Sequence, residues 1–90
     1  MQTIYKYPFR INNEIHLDMH RGARILSVQV QNGTPCIWAL VDTDHPIFPR
    51  LLTIHGTGHP IDHNMSACTF IGTIQLHDGA LVFHVFDWGD

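Results

Sequence analysis

Arg24-Ile25-Leu26-Ser27-Val28-Gln29-Val30-Gln31-Asn32-Gly33-Thr34-Pro35-Cys36-Ile37-Trp38-Ala39-Leu40-Val41 decides the fold class. Through Gln31 it alternates, with Leu26, Val28 and Val30 against Ser27, Gln29 and Gln31. That is the period-two pattern of a half-buried strand. Asn32-Gly33 is the favoured pair for a type I′ turn, in which both central residues take positive φ. Thr34–Val41 then returns almost continuously apolar, as a strand in the middle of a sheet does. The stretch predicts a β-hairpin.

Working outward, strand signals continue in both directions. Thr3–Phe9 is β-branched and aromatic and closes at Pro8, ahead of an Asn12-Asn13 turn. Glu14–Met19 alternates, Ile15, Leu17 and Met19 on one side and Glu14, His16 and Asp18 on the other, until Arg21-Gly22-Ala23 breaks it. Asp42–Pro49 holds two prolines and reads as a loop, and Arg50–His55 reads as the next strand. Asp62–Ser66 is a polar turn, and a single helical turn near Pro60–Met65 is the one helical option in the chain. Ala67–Leu76 follows, with Phe70, Ile74 and Leu76 expected on one face and Gly72 marking a bulge or a close backbone approach. Asp78-Gly79 is a second hairpin signal, and Ala80–Phe86 is the returning strand. About seven short strands, with no repeat and no dividing linker, predict one all-β domain over residues 1–90. Its expected form is a small antiparallel β-sandwich or partly open barrel.

Ninety residues bury about 60–65% of the surface of the unfolded chain, so the core is modest and self-association is a natural source of added stability. Val82, His84 and Phe86 alternate with Leu81, Phe83 and Val85, which puts apolar side chains on both faces of the last strand. Both faces then need cover, and a homo-oligomer interface would supply it. Trp38 and Phe83 are expected in the core, and Trp88 is expected to pack, since an exposed indole near a polar tail would be adhesive.

Five basic residues against eight acidic ones leave a net charge of −3, which excludes general electrostatic attraction to nucleic acid. No run approaches membrane-spanning length and no leader pattern opens the chain, so a soluble intracellular protein is expected. Cys36 and Cys68 lie apart in apolar strands and read as free thiols.

The segment with most chemistry is His55-Gly56-Thr57-Gly58-His59-Pro60, with His63 beyond it. The i, i+4, i+8 spacing of its histidines would share one helix face, but two glycines and Pro60 oppose a helix. Solvent-facing turn histidines are therefore favoured over a metal site, and no metal or cofactor is expected. Gly56, Thr57, Gly58 and His59 lack the lysine and strand–loop–helix setting of a nucleotide phosphate loop. Their amides could still form an anion-binding nest, with Arg21, Arg24 or Arg50 neutralising charge. The same glycines also suit a plain turn. Ser27, Ser66 and the cysteines carry no nucleophile signature, and Asp42 and Asp44 no glycosidase one, so an enzyme is not expected.

Several stretches, including Thr3-Ile4-Tyr5-Lys6-Tyr7-Pro8, Gly22–Gln29, Asn32–Asp42, Gly56-Thr57-Gly58-His59-Pro60-Ile61 and Gly79–Phe86, resemble a family of small bacteriophage- and prophage-encoded proteins. The resemblance spans nearly the whole chain and carries no established activity. It implies a viral gene product in the host cytoplasm. Two functions follow as expectations: a non-enzymatic protein that sequesters a small anionic, nucleotide-like immune signal, or a protein-binding factor that inhibits a host defence protein or assists virion assembly.

Overall fold

The computed structural model describes all of residues 1–90. Its elements are β1 (Gln2–Pro8), β2 (Glu14–His20), β3 (Arg24–Gln31), β4 (Thr34–Asp42), β5 (Ile47–Gly56), β6 (Thr69–Leu76) and β7 (Leu81–Asp87). They form two antiparallel sheets, β1-β4-β3 and β2-β5-β7-β6. This is the expected all-β sandwich. The segment Pro60–Met65 is irregular, so the helical turn does not form.

The hairpin at the centre of the sequence forms as read. Asn32 and Gly33 take φ of 50° and 80°, and β4 lies between β1 and β3. The inner faces meet in a core of Val28, Ile37, Ala39 and Val41 from one sheet and Met19, Leu52, Ile54, Ile74 and Val85 from the other. Phe9 and Ala23 close its ends. Only 15 of 90 residues are buried, so each of these side chains carries a large share of the stability.

Four sequence expectations change. Trp38 lies half-buried on the outer face of the three-stranded sheet, because strand parity gives the inner face to Ile37, Ala39 and Val41. The expected loop at Asp42–Pro49 is confined to residues 43–46: β5 begins at Ile47 and pairs Pro49 with Asp18. Proline fits there because the β7 ladder reaches only to Leu52 and the chain beyond it bonds only as far as Leu51, so residues 47–50 of β5 have no backbone partner on that side. The other two changes come from bulges. The register of β3 shifts between Ile25 and Ser27, which turns Leu26 outward, 43% exposed and away from Val28. The register of β6 shifts between Phe70 and Gly72, placing Phe70 opposite Phe86 on the outer face while Ile74 stays in the core.

The two bulged strands pack against each other where the sheets meet. A Cβ on Gly72 would lie 2.9 Å from Val28 Cγ1, so Gly72 serves both roles read from the sequence, bulge and close approach.

Candidate functional site

The outer face of the four-stranded sheet carries Thr53 and His55 from β5 and His84 and Phe86 from β7, set side by side by the ladder. Two irregular segments lie across this face. β5 ends at Gly56, and the chain turns through Thr57 and Gly58, with Gly58 at φ 80° and the His59 N–H donating to the Gly56 carbonyl at 3.1 Å. His59 then folds back so closely that a Cβ on Gly56 would lie 2.7 Å from its Nδ1. The chain continues back over the sheet and brings the His63 ring 6.0 Å from His55 and 6.0 Å from Trp88.

Trp88 arrives from the other side. Beyond β7 the chain stays alongside β5: the Trp88 N–H donates to the Leu51 carbonyl at 2.9 Å, and the Leu51 N–H to the Gly89 carbonyl at 3.4 Å. The indole Nε1–H donates to Thr53 Oγ1 at 2.8 Å. Thr53 Oγ1 also lies 3.0 Å from His55 Nε2. Since the hydroxyl accepts from tryptophan, its own proton is free for the nitrogen of a neutral His55. Burial, with the nearby His63 and His84, pushes the His55 pKa below its ordinary value and favours that neutral form.

These rings help to line a cleft of about 600 Å³. Asn13, Glu14 and Asp62 bring polar groups to its lining, and no lysine or arginine does. Asn13 is held there by its carbonyl, which accepts the Ile54 N–H at 3.0 Å. On the far side of the turn lies a smaller hollow of about 250 Å³, reached by Thr57, Leu81 and Phe83. Above the sheet at this end, His84 is fixed through both ring nitrogens: Nε2 is 2.6 Å from Thr57 Oγ1 and Nδ1 is 2.9 Å from Thr73 Oγ1.

The residues singled out in the sequence separate in space. Gly56 and His59 line the cleft, with Thr57 and Gly58 in the turn between them. The Thr57 and His59 N–H groups already donate to the Val82 and Gly56 carbonyls, which leaves fewer amides for a nest than the composition of the turn suggested. The arginines are elsewhere. Six residue steps along β5, about 20 Å of extended chain, separate Arg50 from Gly56.

Arg50 faces the sandwich interior. It donates from Nε and Nη2 to the two Asp87 carboxylate oxygens at 2.9 and 2.8 Å and from Nη1 to the Ala23 carbonyl at 2.8 Å. These bonds hold its pKa above the ordinary value and leave no donor face toward a ligand. Arg21 stacks its guanidinium 3.9 Å above the Phe48 ring, and Arg24 is exposed at the start of β3 in the other sheet. No group of three His, Cys, Asp or Glu side chains is arranged to hold a metal ion. Thr53, Asn13, Glu14 and Trp88 are the site residues that the sequence did not single out.

Fold and site together define a small antiparallel β-sandwich with a ring-lined cleft on one outer face. The chain belongs to the family described as "Domain of unknown function (DUF7352)", whose model matches residues 1–89. No curated protein and no solved structure matches it.

Proposed function

We propose that the protein is a non-enzymatic binding module that takes a small nucleotide-like molecule into the cleft between β5 and the Gly56–Ser66 segment. The observation that carries this reading is the set of rings, Trp88, His63 and His55, that lines a space of ligand size together with Asn13 and Glu14. A flat heterocycle would stack on the indole and imidazoles, and Asn13 and Glu14 would meet its hydrogen-bonding edge. The phosphate end would sit at the rim, by His59. Arginine takes no part in this arrangement, because Arg21, Arg24 and Arg50 lie away from the cleft.

With Glu14 and Asp62 nearby and no fixed cation in the lining, anion binding depends on the histidines. His55 gains its proton only below the ordinary imidazole value, so affinity should rise as pH falls below about 6.5. The Thr57–His84–Thr73 chain ties the turn to the sheet; it has no carboxylate behind the imidazole, and a bound nucleotide should be recovered unchanged.

The resemblance to phage-encoded proteins supports action in the cytoplasm of an infected bacterium, where such binding would withhold a nucleotide immune signal from host effectors. Calorimetry with cyclic and linear nucleotides tests the reading: one site per chain is expected, abolished in Trp88→Ala. Absence of heat across the panel with folded protein would overturn it. A second reading, a protein-binding phage factor acting on a host defence protein or in virion assembly, draws support from Ile61 and Phe70, which are 44% and 54% exposed. Loss of a captured partner in an Ile61→Asp, Phe70→Asp variant that still binds nucleotide would separate the two.

A further inference from the structure

Four strands end the two sheets, and three of them are guarded. β3 and β6 are bulged and pack against each other, and β2 points Glu14, His16 and Asp18 outward. β1 is different. Its pairing with β4 is regular from Gln2 to Pro8, and its side chains at the free edge include Ile4, 56% exposed, and Tyr5, 42% exposed. Lysine commonly protects an edge by projecting its charge. Here Lys6 instead donates from Nζ to Gln31 Oε1 at 2.9 Å, drawn across the sheet toward β3.

The parity of the backbone bonds shows what this edge offers. The Met1 carbonyl accepts the Thr43 N–H at 2.9 Å, and the Phe9 N–H donates to the Pro35 carbonyl at 3.0 Å. Odd-numbered residues of β1 therefore turn their amides toward β4. Gln2, Ile4 and Lys6 turn their N–H and C=O groups to the empty side, an unpaired row that a second strand can complete.

We propose that β1 pairs antiparallel with β1 of a second copy about a two-fold axis at Tyr5, joining two three-stranded sheets into one of six. Such an axis, perpendicular to the sheet, keeps each face on its own side, so residues of like parity must meet. With Tyr5 at the centre, Ile4 of each copy faces Lys6 of the other and both exchange N–H···O bonds. The Gln2 N–H reaches the opposite Pro8 carbonyl, where the missing proline N–H removes only a terminal bond.

The two Tyr5 rings then adjoin on the inner face. There each already packs on Tyr7, at 6.4 Å between ring centres, and on His20 of β2, at 6.2 Å. An axis at Lys6 would set two ammonium-bearing residues directly opposite each other. An axis at Ile4 would shorten the overlap and replace the ring pair by Thr3 against Tyr5. The strand is thus its own complement in one register, which makes the second copy its occupant.

Tyr5 would form a non-hydrogen-bonded pair with its equivalent, Cα atoms about 4.5 Å apart and within disulfide reach. Tyr5→Cys in a Cys68→Ser background should therefore oxidise to a covalent dimer. Thr3→Cys, whose equivalents lie four residues out of register, should form no covalent dimer. Ile4→Pro removes one outward N–H per chain and no bond to β4, so it should weaken dimerisation about tenfold with the circular dichroism unchanged. Three results would each overturn the proposal: a monomer by sedimentation of the native chain at its highest soluble concentration, cross-linking at Ile4→Cys in preference to Tyr5→Cys, or undiminished dimerisation of folded Ile4→Pro.

Discussion

Two glycines have neighbours too close for a side chain, and the consequences of filling them differ. At Gly72 the neighbour is Val28 Cγ1, a β-branched side chain locked in the core, and Gly72→Ala should destabilise by about 1–3 kcal/mol in urea unfolding. At Gly56 the neighbour is the exposed ring of His59, which can swing away. Gly56→Ala should leave the unfolding midpoint nearly unchanged while weakening nucleotide binding in calorimetry. Arg50→Ala strands the Asp87 carboxylate, whose side chain is only 15% exposed, and should cost about 3 kcal/mol. His55 makes stability depend on pH. Its folded pKa lies below the 6.5 at which the unfolded chain takes up the proton, so the unfolded state binds more protons between the two values. The contribution is complete above about pH 6.5 and is lost as pH falls through that value toward the folded pKa. His55→Gln should flatten that acid limb in unfolding curves taken from about pH 7.5 to about pH 5.

At the scale of elements, the legible parts of the sequence were those whose signal is local. Asn32-Gly33 and Asp78-Gly79 needed only their own turn geometry, and Gly72 announced its bulge because glycine inside a strand has few other uses. The bulge at Leu26 carries no such residue, so simple alternation set Leu26 with Val28. Phe70 departs from simple alternation for a related reason, since the bulge at Ile71 shifts parity after the strand has begun. β5 ran longer than its prolines suggested because permission for Pro49 depends on where β7 stops, which is a tertiary fact. The site divides the same way. The Gly56–His59 turn was visible, whereas Trp88 enters through backbone bonds to Leu51 and Glu14 through pairing with Thr53, thirty-five or more residues away in sequence. The arginines misled because a sequence shows charge without showing the carboxylate that occupies it. The element-level expectation is a contrast on one strand: Leu26→Ser should change stability by no more than about 0.5 kcal/mol, and Val28→Ala should cost about 2 kcal/mol.

For the molecule as a whole, the division of strands between the sheets sets an order of events in time. The three-stranded sheet draws β1, β3 and β4 from the first 42 residues. The four-stranded sheet places its first strand at residues 14–20 and cannot be completed before residue 87 exists. A chain emerging from the ribosome can therefore assemble one layer at its half-length, while β2 waits with Ile15, Leu17 and Met19 uncovered until β5 is made. Refolding of the full chain should show the same two stages. The β3–β4 hairpin closes over a two-residue turn, whereas β2–β5 pairing must close a much longer loop. Pulse-labelled hydrogen exchange should find the amides of β3 and β4 protected before those of β2 and β5, and the uncovered strand in that interval is the natural point for a chaperone to engage.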